Sequence, residues 1–350
     1  MLRVMQGSAV VKSGGDRIYV LHATKGQVMK LLVVGGYGIG LSFFTTHAPA
    51  DGETVSGARM SEEHGGKGSN QAVAASRLGA SVGLLTAVGS DKFAEQARAM
   101  WEHEGIESSH VDQLDGSTMM GCIVTDQSGE NRIIIADGVL ADYGASHVRK
   151  HKAAFREADC VLVSCEIPLE AVQEAISLGR ENGCLVILNP APAPKLSAED
   201  WKNVDVVTPN RTEATQLLRD FEPDCISENS PSSVIAAKVS EAFDIDVVMT
   251  NGGEGCLVAT SELKGEATTI FPVNPERVVD TTGAGDSFNG ALATAMLAGV
   301  SAKDAAKFAV HNGAFTVEKE GVITALPTKE QLKQRYGVVT PSSIGKKEKN

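Results

Sequence analysis

The residues able to do chemistry in this chain fall in a few short segments, the richest being DTTGAGDSFNGALATAMLAG at 280–299. Gly283, Ala284 and Gly285 stand just ahead of a long helix-forming run. Small residues let successive backbone amides converge on a ligand, and a helix N-terminus adds unpaired donors and the positive end of the macrodipole. Such a turn suits negative charge developing on a phosphate. Asp286 lies inside it, where the local field is expected to keep the carboxylate ionised. A carboxylate there can accept the proton of an attacking hydroxyl while the amides stabilise phosphoryl oxygens. In a lone Gly-x-Gly-Asp the aspartate would more simply cap the helix. The whole run DTTGAGDSFNGAL favours the chemical reading.

Four further segments carry polar groups at structurally useful places. In HGGKGSNQAVAA (64–75), Gly65, Gly66 and Gly68 permit close backbone approach, Lys67 is expected exposed at a turn, and a helix starting near Ser69 sets Asn70 beside it. The segment is not a Walker A loop, which would need glycine at Ser61 and a hydroxyl residue at Gly68. It reads either as a structural turn or as a site for hydroxyl or phosphate groups. VVTPNRTEA (206–214) places Asn210 and Glu213 past the end of a strand, where open α/β sheets bind ligands. That pair could orient a hydrated Mg²⁺, or could be a helix cap with an acid in the first turn. CEIPLE (165–170) offers Glu166 at another strand end, structural or functional. MTNGGEG (249–255) is a strand-to-glycine turn able to admit a flat base or a triphosphate.

These segments need a scaffold, and the pattern supplies one. From residue 30 onward, β-branched runs such as LLVVGG (31–36), SVGLLTAVG (81–89), CVLVSCE (160–166), CLVILNP (184–190) and DVVMTNG (246–252) alternate with amphipathic stretches. The alternation predicts a mostly parallel sheet with helices on both faces. Two passages break it: residues 41–63, and two strands around the turn DQSGEN within 117–137. A small β flap accommodates them better than a parallel core does. No linker or repeat interrupts residues 30–338, so a single domain from 29 to 338 is expected, with the flap from about 37–63 and 117–137. Residues 1–28 read as a loose extension ahead of Met29, and 339–350 as a disordered polar tail.

Charge narrows the partners. The formal net charge of −12 argues against nucleic acid or an anionic membrane as partner. No apolar run is long enough to span a bilayer, and residues 1–28 lack the apolar core of a secretory signal. The six cysteines show no CxxC pair, which fits reduced thiols and a cytoplasmic location. LLVVGGYGIG (31–40) resembles a dinucleotide-binding strand, yet GxGxxG fails: after Gly36 and Gly38 the third glycine would fall at Leu41.

DTTGAGDSFNGAL, GGKGSNQAVAA with the following RLGA, TPNRTEA, LNPAPAP (188–194) and CEIPLE together resemble the ribokinase-like, or PfkB, carbohydrate kinases, in the same order over roughly residues 30–330. The resemblance implies a three-layer α/β fold with a mostly parallel central sheet and a small β-sheet lid. It implies MgATP-dependent phosphorylation of a sugar hydroxyl, and a homodimer formed through the lid. By position Asp286 would be the base, with the amides of Gly283, Ala284 and Gly285 as anion hole. Gly66, Lys67, Asn70, Glu166 and Asp286 would hold the sugar. Asn210 and Glu213 would organise Mg²⁺ through water, and Asn210, Thr250, Gly252, Gly255 and Gly285 would line the ATP site. Asp280, Thr282 and Gly321 match the place of a monovalent cation, K⁺.

One departure bears on the substrate. Ribokinases carry Asn-x-Asp after the first strand to grip sugar hydroxyls; counting back from GETVSG without a gap puts these positions at Gly38 and Gly40. Either Tyr37, Ser42 or a lid residue such as His47 takes over, or the substrate is a different, bulkier polyol, or sugar binding has decayed. The last case would make the chain a non-catalytic sugar or nucleotide sensor, the alternative to a kinase of ribose or another pentose or polyol.

Overall fold

A computed structural model of the chain describes residues 8–13, 17–22, 29–128, 130–222, 224–227, 229–260, 263 and 265–341. The sheet at its centre has eight strands. Lys30–Val34, Ser81–Leu85, Cys160–Ser164, Leu185–Asn189, Val206–Val207 and Asp246–Thr250 run parallel, and Cys256–Ala259 and Thr268–Ile270 add an antiparallel edge. The near-continuous apolar runs follow from burial on both faces. Leu31 and Val33 enter one helix-covered core and Leu32 and Val34 the other, all fully buried. The run 81–89 is not one strand: it breaks at Thr86, and Ala87–Val88 pairs instead with Asp112–Gln113.

The strand order reverses between Lys30–Val34 and Cys160–Ser164. The chain moves outward from the first to Ser81–Leu85, then returns to the other side of it. Strands that part company at such a point leave a crevice beyond their carboxyl ends, and the known habit of open α/β sheets is to bind ligands there. Gly35, Gly36, Glu166, Asn189 and Thr208 all sit at or just past these ends.

A second, four-stranded sheet is made from the passages that broke the alternation. Its order is Asn131–Ala136, Met119–Thr125, Gly38–Phe44, Arg59–Gly65. Of the N-terminal segment, Ser8–Ser13 and Arg17–His22 pair antiparallel. Residues 1–7, 14–16 and 23–28, like 342–350 of the expected tail, lie outside the described residues.

Candidate active site

Two helices build the floor of the crevice. The helix Lys67–Arg77 starts two residues earlier than the sequence suggested, with Gly66 as its N-cap. Lys67, Asn70 and Gln71 are therefore spaced i, i+3 and i+4 and share one face. Ala284–Leu297 packs against it, and the close approach is made at Gly290. A Cβ there would lie 2.6 Å from Ala74 Cβ and 2.7 Å from the Gln71 carbonyl oxygen. One turn before Gly290, Asp286 meets the facing helix: Asn70 Nδ2 donates to its Oδ2 at 2.8 Å and Gln71 Nε2 to its Oδ1 at 3.0 Å.

The turn ahead of Asp286 differs in detail from the sequence reading. Ala284 and Gly285 belong to the first helical turn, and only Gly283 precedes it as N-cap. Gly283 adopts φ 78°, a left-handed conformation that glycine tolerates best, with Val322 packed where a side chain would project. The Ala284 amide turns toward the Thr281 carbonyl at 3.3 Å, whereas Gly285 faces open space, so a Cβ there would touch nothing within 4 Å. Asp286 itself is not held at a low pKa by the helix field. Burial pushes it up to about 6; hydrogen bonds from Asn70 and Gln71 and the Lys67 charge offset this in part, and the Glu166 charge adds to it. At neutral pH the carboxylate is still mainly ionised, which leaves it poised as a proton acceptor.

Lys67 and Glu166 face each other across the crevice. Lys67 Nζ donates to Glu166 Oε1 at 2.7 Å and the Lys67 amide to Oε2 at 2.5 Å, so the lysine is partnered at the helix start and not free at an exposed turn. Burial pulls the Lys67 ammonium down, but Glu166, Asp286 and Glu213 outweigh it and raise its pKa. One lysine thus feels three carboxylates drawn from three separate segments. Gly36 makes room for this pair, because a Cβ there would lie 2.9 Å from Glu166 Oε2. Gly66 and Gly68 likewise pack directly on the backbone of residues 35–37. Gly35 and Gly36 of LLVVGGYGIG therefore serve close packing at the crevice.

Asn210 and Glu213 form a capping box: Asn210 Oδ1 accepts from the Glu213 amide and Glu213 Oε2 from the Asn210 amide, both at 2.8 Å. Burial raises the Glu213 pKa, opposed by the Asn210 amide and Lys67. Thr250 lies beside this cap, its amide bonded to the Pro209 carbonyl at 2.9 Å, and Gly252 and Gly255 follow in the next turn. Asp280 is tied to the amides of Thr282 at 2.9 Å and Gly321 at 3.3 Å, which joins the 280–285 turn to the 319–327 loop.

The second sheet closes the crevice from above. Glu63 accepts from the Val322 amide at 3.2 Å, next to the residue that packs on Gly283. That contact turns the face bearing Glu63 toward the Gly283 turn. Gly40 is paired with Glu63 and with Gly121, and Gly38 with Gly65 and Met119, so of these six residues Glu63 and Met119 supply the side chains on this face. Met119 fills the space beside Gly38, its Cε 2.6 Å from where a Cβ would be, while at Gly40 a Cβ would meet Ile123 Cδ1 at 3.6 Å and the Glu63 carbonyl oxygen at 3.9 Å, both ordinary contacts. Of the residues expected to compensate, Tyr37 is fully buried, with Oη 2.8 Å from His64 Nδ1 and its ring on Trp101. His47 is engaged by Thr46 and Glu53 in an exposed loop. Ser42 lies further along the Gly38–Phe44 strand.

Gln71 and Asn189 are the polar residues that sequence reading passed over. With the helix taken to start near Ser69, Gln71 was not seen to share a face with Lys67; the i, i+4 spacing was the available signal.

Comparison with known proteins identifies the family. The pfkB family carbohydrate kinase pattern matches residues 29–329. Ribokinase of Haemophilus influenzae is 37% identical over 284 residues, 80% of this chain and 89% of that protein. The crystal structure of ribokinase from Thermotoga maritima is 28% identical with a TM-score of 0.78, covering 88% of this chain and 99% of that one. In fold the chain also matches Arabidopsis thaliana ribokinase complexed with ribose and ATP, at TM-score 0.79 and 24% identity, over 88% and 98% of the two chains. The chain belongs to the pfkB family of carbohydrate kinases, and its fold is ribokinase-like.

Proposed function

We propose that Asp286 is the general base of an in-line transfer from ATP to a sugar hydroxyl. That the chain is an ATP-dependent sugar kinase, and not a sensor that has lost the reaction, follows from its family. The observation carrying the assignment is the half-buried carboxylate gripped by Asn70 and Gln71 at the start of an open glycine turn. Asp286 takes the hydroxyl proton, and the amides around Gly283–Gly285 receive the transferring phosphoryl group. Lys67, Glu166, Asn70 and the Gly66 turn hold the sugar, whose hydroxyls replace part of the Lys67–Glu166 pairing. Thr250, Gly252, Gly255, Asn210 and Gly285 border the nucleotide.

Among the described residues no cluster of three or more His, Cys, Asp or Glu side chains is placed to hold a metal directly. One carboxylate beside one amide, Glu213 with Asn210, fits Mg²⁺ that keeps its waters and rides on the phosphates. When bound it would neutralise phosphate charge. Asp280, Thr282 and Gly321 meet at the loop where K⁺ would sit, the Asp280 carboxylate accepting from both amides and supplying the negative charge such a cation needs. Ile133, Ile134 and Ile135 are all exposed on the edge strand of the lid, and an apolar unpaired edge argues for a lid-mediated homodimer.

The sugar is gripped from the floor more than from the lid. With glycines at 38 and 40 and Tyr37 turned into the core, free ribose loses contacts on its lid-facing edge. A pentose or polyol with fewer hydroxyls to satisfy there is the better match. ADP release measured against pentoses, deoxypentoses, hexoses, ketoses and nucleosides tests this. Ribose as the preferred substrate, turned over faster than all others, would overturn the substrate reading while leaving the kinase intact.

A further inference from the structure

Gln71 is fully buried, and its bonding extends beyond its grip on Asp286. Its single amide group donates twice, to Asp286 Oδ1 at 3.0 Å and to Asn189 Oδ1 at 2.9 Å. Asn189, at the end of a central strand, is itself oriented by donating Nδ2 to the Thr208 carbonyl at 3.1 Å. Thr208 Oγ1 then donates to Asn289 Oδ1 at 2.5 Å, and Asn289 Nδ2 donates to the Gly285 carbonyl at 2.9 Å. The path begins at Asp286 and ends on the residue before it. It is a closed ring of amide and hydroxyl groups through two helices and two strand ends, and Gln71, Asn189, Thr208 and Asn289 are all buried.

We infer that Gln71 is a positioning residue for the reaction, and that the Gln71–Asn189–Thr208–Asn289 ring sets the direction of the Asp286 carboxylate relative to the anion-binding turn. The inference rests on Asp286 being the base. The direction of each donor in the ring is determined. Asn189 receives on Oδ1 because its Nδ2 is committed to a carbonyl, so Gln71 must present its amide nitrogen, and that nitrogen is the atom that reaches Asp286. The Gln71 Oε1 has no partner, and turning the amide over would lose both donated bonds and set its oxygen against two acceptors, so the orientation is fixed. Asn70 grips the other carboxylate oxygen, so rotation of Asp286 about its χ2 is blocked from both sides. Asn289 meanwhile holds the carbonyl of Gly285, one residue before Asp286, fixing that turn to the same frame.

The test uses the full chain with Gln71→Met, close in volume and unable to donate, and Asn189→Leu, one bond further along the ring. Asp286→Asn is measured first: unchanged turnover there refutes the base assignment, separately from this inference. With the base established, Gln71→Met should lower kcat by about ten- to a hundredfold, the loss expected for one hydrogen bond to a charged group. KM for ATP should change little. The acid limb of kcat/KM should move to higher pH, because a donor that favours the ionised carboxylate is gone. Asn189→Leu should move the limb in the same direction by less, and the double variant should show less than the sum of the two effects. If both variants melt lower but keep kcat and an unmoved acid limb, the ring is only structural and the inference is wrong. If Gln71→Met does not fold, Asn189→Leu alone decides by the same limb.

Discussion

The raised pKa of Asp286 makes the pH dependence of turnover a sharp test. Burial lifts the carboxyl from its ordinary 3.8 to about 6, against hydrogen bonds from Asn70 and Gln71. With a value near 6, about nine-tenths of the carboxylate is ionised at pH 7 and about one-tenth at pH 5. If only the ionised form accepts the hydroxyl proton, kcat/KM for the sugar should fall about tenfold over that interval. An aspartate at its ordinary value would lose less than about a tenth of its activity over the same range. The assay is coupled ADP release at saturating MgATP and sugar well below KM, from pH 5 to 8. A profile flat between pH 7 and 5 would refute the reasoning. The same shift has a stability sign. Because the folded value lies above the unfolded one, the fold takes up a proton between about pH 6 and 4. The ionised carboxylate thus weighs against folding above about pH 6, and that penalty is lost below about pH 4.

Gly290→Ala places a Cβ against Ala74 and the Gln71 carbonyl, so the two site helices must part. Chemical denaturation should show a loss of about 1–3 kcal/mol, as for other overpacked contacts, with a fall in kcat; unchanged stability and kcat would contradict the close packing. Gly40→Asp adds a carboxylate at an uncrowded position, and KM for ribose should drop about tenfold or more, the value of a hydrogen bond to a charged group. No change in KM would mean that this lid face does not meet the sugar. If the lid edge forms a homodimer interface, Ile134→Lys puts a charge on it and should shift the protein to monomer by sedimentation; a dimer that persists would remove the lid from the interface.

Much of the scaffold was legible because its signals are local. Buried parallel strands declare themselves as apolar runs, and Leu31–Val34 shows why, with neighbours fully buried on alternate faces. The glycine-rich segments also pointed to the right turns. Less was legible where long-range packing decides. Nothing near Asp286 in sequence indicates that a helix more than two hundred residues earlier supplies both of its donors. The Lys67–Glu166 pairing likewise depends on the fold, since it requires Gly36 to be bare. Asn210 and Glu213 could be read as cap or as ligand-binding pair, and the structure realises the cap. Tyr37 was a candidate for gripping sugar because it follows the glycines, but its register turns it onto Trp101.

The account stands most directly on the turnover of Asp286→Asn. The substitution is nearly isosteric and removes the proton acceptor while leaving the glycine turn in place. With the best substrate of the wild-type protein, kcat should fall by on the order of a hundred- to ten-thousandfold, with ATP affinity little changed. Turnover within a factor of a few of the wild type would contradict the assignment of Asp286 as the base.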